Sequence, residues 1–91
     1  EQLTLLDLQR CGIEIQGAQA LARALSTNQG LKHLRMDSNK IQDQGLEELA
    51  AVLKNNTCLT YFNAGDGDFS DSGLQCIAKM LEVNKALTSL M

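Results

Sequence analysis

Leu31-Lys32-His33-Leu34-Arg35-Met36-Asp37-Ser38-Asn39-Lys40-Ile41, followed by Gly45-Leu46-Glu47-Glu48-Leu49-Ala50-Ala51-Val52-Leu53, changes its apolar period halfway along. Leu34 and Met36 stand two apart, which puts both side chains on one face of a short strand. Leu46, Leu49, Ala50 and Leu53 then recur at i, i+3, i+4 and i+7, the apolar stripe of a helix of about three turns. Strand and helix therefore follow one another within a single short unit.

That unit recurs along the whole chain. Leu3, Leu31, Leu59 and Leu87 stand 28 apart, as do Leu6, Leu34, Phe62 and Leu90. The same spacing links Leu8, Met36 and Ala64, and Ile13, Ile41 and Phe69. It links Gly17, Gly45 and Gly73, and Leu21, Leu49 and Ile77, and Leu25, Leu53 and Leu81. Asn28, Asn56 and Asn84 close each unit. An unbroken period of this length is the signature of a repeat array. It is too short for a doubly wound sheet, so the strands stack in parallel on one side and the helices on the other. Helices are wider than strands, so the stack curves with the strands inside. The expected fold is an α/β solenoid with right-handed crossovers. The units span about residues 3–30, 31–58 and 59–86, with a partial fourth at 87–91, in a single segment covering 1–91. The glycines are expected where loop turns into helix. The asparagines are expected where the helix ends, a place that favours left-handed backbone.

The pattern L-x-x-L-x-L-x-x-(C/N/G)-x-I resembles the ribonuclease-inhibitor class of leucine-rich repeats. The helical half, Gly17-Ala18-Gln19-Ala20-Leu21-Ala22-Arg23-Ala24-Leu25, is most similar to the repeats of NOD-like immune receptors. Ran GTPase-activating proteins, bacterial effectors and tropomodulin-like proteins use similar units. The resemblance implies a horseshoe segment and a non-catalytic protein-interaction module, with ligand-sensing or autoinhibitory repeats of a cytosolic innate-immune receptor as the first context. The alternatives are a Ran GTPase-activating-type segment, an effector acting on a host protein, and a structural spacer. The resemblance also implies that the ninth strand position turns inward to bond the backbone of adjoining turns. Asn39 fits that position, Cys11 substitutes for it, and Gly67 departs from it. Water or an aspartate is expected to supply what Gly67 lacks, and Phe62 and Phe69 to fill the space beside the small Ala64.

Composition narrows the function. The chain has 91 residues, a net charge of −3, 44% apolar residues and 3% aromatics, so its core is aliphatic. An acidic balance lacks the basic stripe that phosphate neutralisation needs, which argues against nucleic acid. No apolar run reaches the length of a membrane span, and no signal peptide is visible. Three cysteines with no C-x-x-C pair point to a reducing, cytoplasmic setting. The absence of an initiator Met and of polar capping units suggests a piece of a longer array. Its uncapped ends would leave the isolated chain marginally stable or self-associating.

Residues between the core positions face the open side of the sheet. Leu5, His33 and Tyr61 form one column and Asp7, Arg35 and Asn63 the next. Asp37 lies in a third, and Arg10 and Asp66 in a fourth. A run of Leu, His and Tyr beside Arg has the composition of an interface centre. These nine residues are the expected partner-binding face, with Cys11 and Asn39 as structural positions. Basic Arg10, Lys32, Arg35 and Lys40 lie in the first two units and acidic Asp66, Asp68 and Asp71 in the third. A bound partner is thus expected to present acidic groups at one end and basic groups at the other. No catalytic, cofactor or metal site is expected. Counted as a calcium loop from Asp66, positions six and twelve are Asp71 and Ile77 rather than Gly and Glu. His33 is the only histidine, and a flat sheet offers it no oxyanion hole.

Overall fold

The first member of each apolar pair, Leu6, Leu34 or Phe62, centres a three-residue strand with its partner just beyond, and the longer stripes become helices. The computed structural model describes residues 3–90. The elements run β1 (Leu5–Asp7), α1 (Ile15–Thr27), β2 (His33–Arg35), α2 (Gln42–Leu53), β3 (Tyr61–Asn63), α3 (Asp71–Val83) and β4 (Ser89–Leu90). The four strands form one parallel sheet in chain order, β1-β2-β3-β4. The register keeps the repeat: Leu5 lies beside His33, His33 beside Tyr61, and Tyr61 beside Ser89. This is the α/β solenoid that the period implies, with strands on the concave side and helices on the convex side.

Between the layers lies one aliphatic core. Leu34 and Phe62 point inward from β2 and β3, and Met36, Ile41, Leu49, Leu53 and Leu59 close around them, all completely buried. Each such leucine contributes roughly 1.5–3 kcal/mol by leaving water. Phe62 belongs to this core and Phe69 packs half-buried against it, beside the small Ala64.

One local expectation is sharpened and one corrected. The glycines lie where loop turns into helix, inside the first turn at the third or fourth position. Their use is close packing: a Cβ at Gly45 would stand 3.0 Å from that of Ala18 on the preceding helix. The asparagines do not adopt left-handed backbone. Asn28 and Asn84 are extended, with φ of −78° and −70°. They act through their side chains. Asn28 Oδ1 accepts from the amides of Gly30 and Leu31, and Asn56 Oδ1 from those of Cys58 and Leu59. Asn84 also donates from Nδ2 to the carbonyls of Leu53, at 2.6 Å, and Asn56, at 3.1 Å. The end of one helix is thus tied to the end of the next.

Candidate partner-binding face

Parallel pairing in register brings Leu5, His33, Tyr61 and Ser89 into a continuous row, one per strand. Neighbouring strands are about 4.8 Å apart. The rings of His33 and Tyr61 stack with centroids 3.9 Å apart and planes 9° from parallel. Both are half-buried, whereas Leu5 is 54% exposed at the end of the row. The row therefore offers a stacked aromatic pair, its rings face to face along the row, continued by an aliphatic side chain.

Next to it run Asp7, Arg35 and Asn63. Arg35 turns to Asp37, with Nε 2.8 Å from Oδ1, the one ion pair among the described residues. The hydrogen bond from Arg35 holds the Asp37 carboxyl below the usual carboxylate range, and Asp37 raises the guanidinium pKa in return. Arg35 remains partly exposed, so the pair adds little to stability; its effect is to fix where the two charges stand. Asp7 and Asn63 each use Oδ1 to accept the amide two residues on, Gln9 and Gly65. Arg10 and Asp66 lie beyond the strands, in the turn that leaves the sheet. With Ser38 they share left-handed φ values of 54°, 61° and 56°. Six of the nine expected residues thus lie on the strands, Asp37 sits two residues past β2 and is largely buried, and Arg10 and Asp66 stand on the rim.

Beneath that rim the second unit is held by Asn39. Its Oδ1 accepts from the amides of Cys11 and Ile13, at 3.1 and 3.0 Å. Its Nδ2 donates to the carbonyls of Leu8 and Met36, at 2.9 and 2.8 Å. Cys11 takes part through its backbone, its side chain being exposed. At Gly67 the solution is different from the water or aspartate expected there. A side chain at this position would overlap the ring of Phe69, so the ring takes the volume that the amide takes one unit earlier. The path beside it differs from the second unit's: the backbone amide of Gln42 donates to the Gly67 carbonyl at 2.9 Å, and Asp68 has a positive φ where its counterpart Lys40 does not.

Asp43, which the sequence pattern did not single out, ties α2 to α3. Its Oδ1 accepts from the Ser70 amide at 2.8 Å and its Oδ2 from the Ser70 hydroxyl. These bonds from Ser70 lower the Asp43 pKa. The signal is absent within any one unit, because the partner lies in the next turn of the array.

Asp37 is directed at Arg35 and His33 at Tyr61, so neither orients the other for proton transfer. Among the described residues no three His, Cys, Asp or Glu side chains converge as metal ligands. No helix among them is long and apolar enough to cross a membrane. A groove of about 660 Å³ runs along the turn edge past Gly12, Lys40 and Asp68, away from the aromatic row.

Comparison with protein families matches the Leucine Rich repeat model over residues 2–22, 27–50 and 55–78. Comparison with curated proteins gives no match. Among solved structures the chain is similar to Leiomodin-1 Actin-Binding Site 2, with a TM-score of 0.89 and 27% identity. That match covers 97% of this chain and 52% of the other, so the chain spans about half the length of its structural neighbour.

Proposed function

Since the chain belongs to the leucine-rich repeat family, we propose that it is a non-catalytic protein-interaction segment that binds its partner on the concave sheet. The observation that carries this reading is the in-register row of Leu5 with the stacked rings of His33 and Tyr61, flanked by the fixed charges of Arg35 and Asp37. Rigid aromatic surface loses little conformational freedom on binding, and the neighbouring charges set orientation. Three free thiols support a reducing, cytoplasmic setting.

Two contexts belong to the proposal. The resemblance of the helical halves to NOD-like receptors supports a segment of an innate-immune sensor. The likeness to an actin-binding structure supports actin as a partner to try first. The test uses the chain and a variant carrying Tyr61→Ala, His33→Ala and Arg35→Glu, checked by circular dichroism to be folded. Cosedimentation with purified actin filaments and capture from cytosol are run side by side. A protein bound by the parent chain and lost from the variant supports the concave face. Equal binding by both overturns it in favour of loops or helices, and no binding by either favours a structural spacer.

A further inference from the structure

On the edge where each helix ends and the next strand begins, a groove lies between successive units. Between the first and second units it is about 280 Å³, with Ser26 and Gln29 on one wall, Thr57 on the other, and no charged residue lining it. Between the second and third units it is about 460 Å³, with Lys54, Asn55 and Thr57 on one wall and Lys85 on the other. Lys54 stands 28 residues after Ser26, and Lys85 28 after Thr57. The earlier groove is therefore a control within the molecule. The repeat closes that edge without lysine, and α1 ends with no basic residue in its last turn, so neither lysine is a requirement of the fold.

We propose that the groove between the second and third units is a docking site for an acidic segment of a protein partner, with Lys54 and Lys85 receiving two of its carboxylates. Both lysines are exposed and outside any ion pair among the described residues, and no carboxylate lines the groove. Asn55 and Thr57 are exposed on the same wall and offer amide and hydroxyl groups to the backbone of the segment. Between the walls the chain is anchored: Asn84 is 7% exposed and donates Nδ2 to the carbonyls of Leu53 and Asn56. Lys85 follows directly on that anchor. Opposite charges placed in this way set the orientation of a partner and speed its encounter. The net charge of −3 disfavours nucleic acid as the source of the negative groups. Both walls belong to units that are present, so a further unit stacked on α3 leaves this groove open, just as α3 leaves open the groove between the first two.

The site is independent of the concave face. Fluorescence anisotropy with a labelled oligoglutamate peptide tests it, at low ionic strength where exposed charges are least screened. The expected result is saturable binding that the double variant Lys54→Glu, Lys85→Glu weakens by at least about tenfold. The double variant Arg23→Glu, Lys79→Glu makes the same change in net charge at exposed positions of α1 and α3, and stays within about twofold of the parent chain. Circular dichroism checks that both variants are folded. Absence of binding by the parent chain overturns the proposal, as does an equal loss in the two variants, which is attraction by net charge alone. A single-stranded oligonucleotide that binds more tightly than the peptide also overturns it.

Discussion

Between Met36 and Ile41 the chain fills its turn with an amide, whereas between Ala64 and Phe69 it uses a missing side chain and a ring. Asn39 satisfies backbone groups on two turns at once. Gly67 satisfies none with a side chain, and Phe69 occupies the room instead. The polar solution exchanges desolvation for directed bonds, and the apolar solution exchanges those bonds for packing. The comparison teaches that the repeat specifies a volume and a path for the backbone more strictly than a residue.

Three experiments would break or sharpen that contrast. The largest effect is expected from Asn39→Ala, which orphans the amides of Cys11 and Ile13 and should cost about 3 kcal/mol in equilibrium denaturation. A cost no greater than that of an exposed substitution would mean the amide is dispensable and the two turns are equivalent. Next, Gly67→Asn should lose about 1–3 kcal/mol by overpacking against Phe69. Adding Phe69→Ile, which restores the second unit's pair, should recover part of it, with a coupling of about 0.5–3 kcal/mol. Purely additive losses would show that the ring and the glycine are not one device.

The smallest effect concerns acid. Asp37 is lowered by its hydrogen bond from Arg35, and Asp43 by those from Ser70. In the unfolded chain both return to about 3.9. Their contribution to stability is therefore complete above that value and is lost as pH falls through the lower folded pKa. The thermal midpoint should drop below pH of about 4, and Asp37→Asn or Asp43→Asn should each flatten that acid limb. An unchanged limb in Asp43→Asn would remove the α2–α3 tie from the account of stability.

The sequence made some of this legible and hid the rest for identifiable reasons. Strands, helices and register follow from Leu34, Leu49 and their counterparts, since two periods and one repeat length suffice to place them. His33 beside Tyr61 was readable from the same repeat, but the stacking of their rings depends on rotamers, which no periodicity encodes. Asn84 was read through its backbone preference, while its structural use depends on carbonyls in the preceding unit. Asp43 was hidden in the same way, its partner Ser70 lying 27 residues on. Gly67 was visible as a gap, yet its filler was readable only as a core residue, because Phe69 serves both purposes at once.

The reach of two asparagines sets a direction in time as well as in space. Asn39 seals groups at Leu8, Cys11 and Ile13, and Asn84 seals groups at Leu53 and Asn56. In each case the sealing residue comes later in the chain than the groups it seals. A ribosome delivers these residues in order, so a newly made turn waits with bare carbonyls or amides until its successor emerges. The growing chain then carries its unfinished turn at the newest end, and completion advances behind synthesis one repeat at a time.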